Sequence, residues 1–385
     1  MTAAAVSPFR VEVPDEVLTD LRRRLDATRY PAPLPGAGWD YGTDDGYLRE
    51  LVTYWRDGYD WRRAERRLND FEHATTEIDG QRIHCLHARS PVPDALPLVI
   101  THGWPGSIVE FLDVVEPLAD PAAHGGDPAD AFHVIAPSMP GYAFSGPTHD
   151  RGWDPARTGR AWAELMARLG YDRYVAQGGD WGAFVTIQLA VADPEHVAGV
   201  HVNMLAPNPG ADDPATYTAE EQAALAAFTK QLDAEGGYFR IQSTKPHTLG
   251  FALEDSPAGL AAWIVEKFRT WSDCEGNVES VFTKDQLLDN VMLYWVTGTA
   301  TSSVRFYYEF GDGVRTGRMP LNPSVTVPMG YTRYPKEILW TPRRWAARDH
   351  HLVYYAEPPR GGHFAAMEQP ALFVDDIRAC FRGLR

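Results

Sequence analysis

The sequence has 385 residues, of which 44% are hydrophobic and 23% are charged, as expected for a globular protein with a large core. Its 52 acidic and 36 basic residues give a net charge of −16, which argues against nucleic-acid binding and against adhesion to anionic membranes. The three scattered cysteines (Cys85, Cys274 and Cys380) indicate neither a disulfide framework nor a metal site, and no signal peptide or membrane-spanning stretch is visible, so we expect a soluble, cytoplasmic protein.

The beginning of the chain, residues 1–90, is predicted to be a separate N-terminal region. The spacing of apolar residues predicts one helix after Pro14 and a second helix near residues 45–56. The alternating runs His73–Ile78 and Arg82–His87 are joined by an Asp-Gly pair, which favours a tight β-hairpin. We therefore expect two helices and an antiparallel pair of strands here.

The next part of the chain, residues 91–205, alternates short apolar strands with helices. The predicted strands are 98–101, 132–136, 174–176 and 197–202, and the predicted helices are 157–169 and 181–192. Such alternation is typical of an α/β fold, in which a mostly parallel sheet is covered by helices on both faces. We interpret these residues as the first part of the core.

The alternation stops between residues 206 and 318, where the pattern becomes largely helical. A capping box at Thr218 predicts a helix that ends at Gly236, and further helices are expected from Ser256 and Thr283. We interpret this segment as a helical lid over an active site.

The core pattern resumes in residues 319–385. Strands are predicted at 325–329 and 352–355, followed by a final helix over about 369–382. This segment is expected to complete the sheet that the lid interrupts.

Asp180 stands between Gly178 and Gly182 at the predicted turn from a strand into a helix. Small residues two positions to either side of a central nucleophile form the elbow of α/β-hydrolases, and here aspartate occupies the place that serine usually holds. Glycine is needed because the turn is strained and the helix passes close to the strand. Asp180 could instead be a simple helix N-cap. We favour a nucleophile because the partner residues described next are also present.

A second glycine-rich turn, His102–Gly106 (HGWPG), follows the predicted strand 98–101. In α/β-hydrolases this loop supplies one donor of the oxyanion hole, here the backbone N–H of Trp104. The other donor is the N–H after the nucleophile, which belongs to Trp181. The loop could equally need its glycines and proline for geometry alone, and the sequence leaves open whether the Trp104–Pro105 bond is cis.

His363 lies in a Gly-Gly-His-Phe turn after the last predicted strand and is the candidate base. Glu337, in the loop after the strand 325–329, is the candidate acid that orients its imidazole. The chain order of nucleophile, acid and histidine is the one expected for this architecture. Glu337 could be only a surface charge, and Asp349 is the nearest rival, but Asp349 directly precedes a strand and belongs to the opposite end of the sheet.

A carboxylate nucleophile selects a different substrate from serine. With an ordinary pKa of about 3.9, an aspartate is ionised at neutral pH and can attack a saturated carbon without a base. The electrophile is therefore expected to be an epoxide or an alkyl halide, and histidine would activate water against the resulting ester. Epoxide opening needs a proton donor, which Tyr238 or Tyr307 of the lid could supply, although either could serve packing alone and Tyr308 is an adjacent competitor.

Five motifs resemble the microsomal-type epoxide hydrolases of the α/β-hydrolase superfamily, and the similarity spans nearly the whole chain. They are HGWPGS, GGDWG, GGYFRIQSTKPHTLGFALEDSPAGLAAWIVEKF, NVMLYWVTGTATSSVRFYYE and PRGGHFAAMEQP. The resemblance implies Asp180 as the nucleophile, and Glu337 with His363 as the pair that activates water. It also implies Tyr238 and Tyr307 as donors to the epoxide oxygen, and the loop of Trp104 as the oxyanion loop.

The resemblance also implies the reactants and the setting. We expect an α/β-hydrolase fold without metal or other cofactor, acting on a small apolar or aromatic epoxide and water, with Trp104, Trp181, Tyr238 and Tyr307 contacting the substrate. Membrane-bound relatives carry an anchor helix ahead of the N-terminal region. This sequence starts without one and is similar to the soluble microbial members. The natural epoxide, the pathway and a homodimeric state are left open.

Two other functions are compatible with parts of the pattern. A haloalkane dehalogenase can use the same aspartate, and the indole N–H of Trp181 could bind its halide. A non-catalytic α/β-hydrolase relative could bind a ligand instead, although such proteins usually lose one of the three catalytic residues that are all present here.

Overall fold

The computed structural model describes residues 5–385, which form one nine-stranded sheet. The strands are β1 (Ser7–Phe9), β2 (His73–Ile78), β3 (Gln81–Ala88), β4 (Leu96–Thr101), β5 (Phe132–Pro137), β6 (Tyr174–Gly178), β7 (Val197–Val202), β8 (Met329–Thr332) and β9 (Leu352–Ala356). Their order across the sheet is β1-β2-β3-β5-β4-β6-β7-β8-β9. The pairs from β1 to β5 along this order are antiparallel, and those from β5 to β9 are parallel.

Helices cover the sheet and form the lid. They are α1 (Asp15–Asp26), α2 (Asp45–Asp57), α3 (Trp61–Leu68), α4 (Val115–Ala119), α5 (Pro155–Arg168), α6 (Trp181–Ala192), α7 (Ala219–Lys230), α8 (Gly237–Thr244), α9 (Pro246–Asp255), α10 (Pro257–Trp271), α11 (Lys284–Thr297), α12 (Ala300–Arg315), α13 (Arg343–Asp349), α14 (Ala365–Glu368) and α15 (Pro370–Phe381). Within residues 5–385, no helix combines the length and the apolar character that crossing a membrane requires.

The central strands are apolar because both of their faces are covered. All five residues of β6 are buried, and α6, which leaves its carboxyl end, packs against β4, β6 and β7. A parallel strand buried on both sides needs a continuous apolar run rather than alternation, as the sequence has there. The edge where β6 ends therefore carries the predicted elbow.

The N-terminal region packs against the helices of the lid. Its helices α1, α2 and α3 pack against α10 and α11. The buried carboxylate of Asp289 on α11 accepts hydrogen bonds from the hydroxyl of Tyr59 at 2.7 Å and from Arg63 at 2.9 Å. The predicted hairpin of β2 and β3 is confirmed, with Asp79 and Gly80 at positive φ in its turn. The region thus fixes the lid helices relative to the sheet.

One strand lies later in the chain than predicted. The expected strand Val325–Met329 is wrong, because β8 begins only at Met329 and runs to Thr332. Pro328 has no backbone N–H to donate to a neighbouring strand, so regular pairing cannot include it. Glu337 still follows this strand, now five residues after its end.

The helix of Thr218 also ends earlier than predicted. Its capping box is present, but α7 stops at Lys230 and a π-helical turn over Gln231–Glu235 follows. Tyr238 therefore lies in the first turn of a separate helix, α8, and not at the end of the Thr218 helix. Glycine is needed at position 236 of this junction, because a Cβ there would lie 2.2 Å from the carbonyl oxygen of Leu232.

Candidate active site

Asp180 lies at a strained elbow between β6 and α6. Its φ of 50° and ψ of −128° lie in a region that non-glycine residues rarely adopt. A Cβ on Gly178 would lie 2.0 Å from the carbonyl oxygen of Gly182, and one on Gly182 would lie 1.9 Å from that of Thr101. The Asp180 side chain makes no capping hydrogen bond to α6, which removes the N-cap interpretation.

The Asp180 carboxylate is held by two groups. Its Oδ1 accepts a hydrogen bond from the backbone N–H of Trp104 at 2.8 Å, and its Oδ2 lies 3.1 Å from Nε2 of His363. A Cβ on Gly103 would lie 2.2 Å from the Asp180 side chain, so only glycine allows this approach. The side chain is 14% exposed. The nucleophile candidate is therefore accessible yet tightly positioned.

The oxyanion donors predicted from the sequence lie on either side of Asp180. Trp104 belongs to the loop after β4, where the Trp104–Pro105 bond is cis. Trp181 is the first residue of α6, so its N–H has no intrahelical acceptor and is available to a bound group. His102 braces the loop, since its Nδ1 donates to the carbonyl of Gly103 while its Nε2 accepts from the N–H of Met139.

His363 lies between two carboxylates. Its Nδ1 is 2.7 Å from Oε1 of Glu337, which also accepts the N–H of Ile338 at 2.7 Å. Burial by itself would lower the pKa of His363, but the charges and hydrogen bonds of Glu337 and Asp180 outweigh burial and raise this pKa well above its ordinary value. The structure thus brings together the three predicted triad residues.

The rival acid Asp349 lies elsewhere. It ends α13 and pairs with Arg348 at 2.6 Å, and its other oxygen accepts from Asn208 at 2.9 Å. The loop carrying Glu337 instead meets the histidine loop directly, because the N–H of Lys336 donates to the carbonyl of Gly361 at 3.1 Å. Glu337 is therefore the acid that reaches His363.

The two lid tyrosines pack edge to face beside Asp180. The ring of Tyr307 on α12 lies 5.8 Å from that of Tyr238 and 4.7 Å from that of Trp181. Burial raises the pKa of both phenols, and the negative charge of Asp180 raises it further. Both therefore stay protonated at neutral pH. Tyr308, the competitor, is 40% exposed and lines a different cavity from that of Asp180.

A cavity of about 390 Å³, here called the substrate cavity, opens in front of Asp180. Its lining is mostly apolar and combines residues of the core, the lid and the loop after β8. These residues are Asp180, Trp181, Phe184, Met204, Ala206, Pro207, Phe228, Gln231, Leu232, Gly236, Tyr238, Phe239, Tyr307, Phe310, Leu321, Asn322, Ile338 and Leu339. A hydrophobic ligand would reach both phenols and the carboxylate there.

Two further carboxyl groups lie near His363, the half-buried Glu110 and the buried Glu368, and no motif in the sequence points to either. Burial raises the pKa of Glu110 to about 8 and that of Glu368 to about 7. Glu368 accepts the N–H groups of Phe364 at 2.9 Å and Asp273 at 2.8 Å, and so holds the histidine loop. The only signal in the sequence was an acidic residue inside an apolar run, in SIVEF and FAAME.

Within residues 5–385, no group of three or more histidine, cysteine, aspartate or glutamate side chains is arranged to hold a metal ion.

The chain matches known proteins along its length. Residues 6–111 match the family described as epoxide hydrolase N terminus, and residues 97–235 match the alpha/beta hydrolase fold. A protein from Stigmatella aurantiaca (strain DW4/3-1) is 50% identical, over 99% of this chain and 86% of its own length. Epoxide hydrolase 1 from Sus scrofa is 39% identical, over 99% of this chain and 89% of its own length.

A solved structure shows the same similarity in three dimensions. The crystal structure of juvenile hormone epoxide hydrolase from the silkworm Bombyx mori superimposes with a TM-score of 0.90 at 33% identity, over 99% of this chain and 95% of that chain. The predicted fold and the predicted resemblance are both confirmed. The chain belongs to the epoxide hydrolase family, hydrolases of the α/β-hydrolase fold that act on epoxides.

Proposed function

We propose that this chain converts an epoxide to a vicinal diol through a covalent ester of Asp180. The observation that carries the proposal is the position of this carboxylate. It lines the substrate cavity together with Tyr238 and Tyr307, and it contacts Nε2 of His363 at 3.1 Å. A nucleophile, two acids and a base are thereby grouped around one reacting centre.

The first step is attack by Asp180 on an epoxide carbon. Oδ1 is held in the oxyanion loop by the Trp104 N–H, so Oδ2, which lies 3.1 Å from Nε2 of His363, is the oxygen that forms the new C–O bond. The ring C–O bond breaks at the same time, and the departing alkoxide takes a proton from Tyr238 or Tyr307. Because both phenols are protonated at neutral pH, they can donate without prior activation.

The second step is hydrolysis of the ester. Water attacks the carboxyl carbon of Asp180 and gives one proton to Nε2 of His363, while Glu337 steadies the resulting imidazolium. The N–H groups of Trp104 and Trp181 stabilise the tetrahedral oxyanion. The ester C–O bond then breaks, the diol oxygen takes the proton from His363, and the proton left on the Asp180 carboxyl restores the tyrosine.

The substrate class follows from the cavity. Apart from Asp180 and the phenols, its walls are largely apolar, with Phe184, Phe239 and Phe310 among the lining residues. Such walls bind a substrate mainly by removing apolar surface from water. We therefore assign a small apolar or aromatic epoxide as the substrate.

A single-turnover reaction in ¹⁸O-labelled water, with enzyme in excess over styrene oxide, tests the mechanism. The ester scheme expects the diol to leave unlabelled, because its new oxygen comes from Asp180, and it expects label in that carboxylate. Direct attack of water on the epoxide would instead label the diol in the first turnover. Mass spectrometry of the diol and of the peptide containing Asp180 separates these outcomes.

A haloalkane dehalogenase remains the second candidate because of Trp181. Its indole N–H is buried, and no partner among residues 5–385 meets hydrogen-bond geometry with it, so it could bind a halide. The two phenols beside it fit an alkoxide better, because an alkoxide needs a proton and a halide does not. Release of halide from simple haloalkanes at rates comparable to epoxide turnover would favour the dehalogenase.

A further inference from the structure

Asp180 separates two cavities. The substrate cavity lies on the side of the lid tyrosines, whereas a second, small cavity of about 20 Å³ lies on the side of His363. Among the residues described, Asp180 is the only one that lines both. A group in the small cavity can therefore approach the carboxyl carbon while the alkyl part of an ester fills the substrate cavity.

The small cavity suits one water molecule in size and polarity. A volume of about 10–15 Å³ is enough for one water, provided that it finds polar partners. Beside Asp180 and His363, the cavity is lined by Glu110 and by Gln177. The Oε1 atom of Gln177 is fully buried and has no hydrogen-bond partner among residues 5–385, although its Nε2 donates to Asn203 at 2.9 Å. The cavity thus offers an unused acceptor.

The local backbone brings Glu110 to this cavity. Glu110 lies on the short 3₁₀ turn Ile108–Phe111, whose N-cap Ser107 is fixed by donating its hydroxyl to Asn290 at 2.7 Å. The turn places the Glu110 carboxyl over Gly106. A Cβ added to Gly106 would lie 1.4 Å from the Oε1 atom of Glu110. Gly106 therefore leaves the space that the carboxyl occupies.

We propose that the small cavity binds the hydrolytic water and that Glu110, together with His363, holds this water against the Asp180 ester. The inference rests on the proposed function and adds a third carboxyl group to its second step. His363 takes one proton of the water, and the Glu110 carboxylate accepts a hydrogen bond from the other. With both protons directed, a lone pair of the water oxygen points at the carboxyl carbon.

The charge of Glu110 depends on its titratable neighbours. Burial raises the pKa of Glu110 to about 8; the positive His363 opposes this shift, while the negative Asp180 and Glu368 add to it. Esterification removes the charge of Asp180, which acts to lower the pKa of Glu110, but the neutral His363 that the step needs no longer opposes the shift. The carboxylate, which is the charged acceptor, therefore gains population mainly as the pH rises towards and above 8.

The bonds of the step balance with Glu110 as an acceptor only. The water oxygen bonds to Cγ of Asp180, one proton moves to Nε2 of His363, and the second stays on that oxygen while directed at Glu110. When the tetrahedral state collapses, the ester C–O bond breaks and the diol oxygen takes the proton from His363. Glu110 keeps its charge throughout, so no further reactant is needed.

Rapid-mixing kinetics with styrene oxide can separate the two half-reactions in Glu110→Gln. Tryptophan fluorescence and quenched-flow mass spectrometry report formation and decay of the ester. The expected result is an alkylation rate within about twofold of wild type and an ester decay slowed by roughly 10- to 100-fold, as for the misplacement of one reactant. Glu116→Gln, a change of an exposed glutamate on the next helix, is the matched control and should leave both rates unchanged.

The outcomes discriminate between the two proposals. If His363→Gln accumulates no ester of Asp180, the proposed function fails. If His363→Gln does accumulate the ester, but the ester of Glu110→Gln decays at the wild-type rate, only the proposed water site is wrong. Equal slowing of both steps by Glu110→Gln would show a structural role in the oxyanion loop instead, and it would also overturn the proposal. Normal alkylation by Glu110→Gln shows that this variant has folded.

Discussion

The imidazole of His363 lies 3.1 Å from the carboxylate of Asp180, so the candidate base and the candidate nucleophile are in direct contact. This contact makes the two half-reactions interdependent. The charge of Asp180 raises the pKa of His363 in the resting protein, and esterification removes that charge. The pKa of His363 therefore falls once the ester has formed, and a larger fraction of the imidazole is neutral and able to act as a base.

A pH dependence follows from this coupling. Only neutral His363 can take a proton from water, so ester decay should rise with pH and level off above the pKa of His363 in the ester. That pKa should lie below the pKa in the free protein, which is raised above the ordinary value of 6.5. Single-turnover decay rates between pH 5 and 10 give the first value, and an NMR titration of the imidazole gives the second. Two equal values would contradict the coupling.

Substitution of the nucleophile and the base should block different steps. Asp180→Asn should prevent ester formation, unless the amide slowly deamidates. His363→Gln should form the ester at a near-normal rate but hydrolyse it about 10²–10⁴-fold more slowly, since general base catalysis is lost. Intact-protein mass spectrometry would then show an adduct of one epoxide mass on His363→Gln alone. An adduct on Asp180→Asn that forms as fast as on wild type would exclude Asp180 as the nucleophile.

The lid tyrosines should act in ring opening. Tyr238→Phe and Tyr307→Phe each remove one donor to the departing oxygen, so each should lower the alkylation rate by on the order of 10²-fold. The double variant should be lower than either single one. Tyr308→Phe is the matched control, because this neighbour on α12 is 40% exposed and should change nothing. Stopped-flow alkylation rates give the answer, and a normal rate in both single variants would assign these rings to packing only.

Much of the fold could be predicted because its strongest patterns are local. The helix 181–192 and the strand 197–202 were predicted with the bounds that the structure has, since both are continuous apolar runs between clear breaks. The short helix Trp61–Leu68 was not predicted, because four of its eight residues are arginines and only Trp61, Ala64 and Leu68 are buried. The boundaries proposed for the four regions of the chain stay predictions.

The site could be predicted only as far as its motifs reach. Asp180, Trp104 and His363 stand in short glycine-rich turns whose chemistry is visible locally. Their catalytic roles remain proposals. Glu110 and Gln177 could not be found in this way, because their importance lies in lining a cavity with His363, and that proximity is created by residues far apart in the chain.

Gly103 offers a test of how closely the oxyanion loop must approach the nucleophile. In Gly103→Ala the new Cβ would lie 2.2 Å from the Asp180 side chain, so either the loop or the carboxylate must move. We expect a loss of about 1–3 kcal/mol of stability from overpacking. Because the Trp104 N–H moves with the loop, alkylation should also fall by at least about 10²-fold.

Gly311→Ala is the control: its Cβ meets nothing within 4 Å on an exposed turn of α12, so it should stabilise the protein by about 0.5–1 kcal/mol. Urea unfolding and alkylation rates measure the two effects. If Gly103→Ala alkylates at the wild-type rate, the loop is not held as tightly as the hydrogen bond from Trp104 to Asp180 indicates.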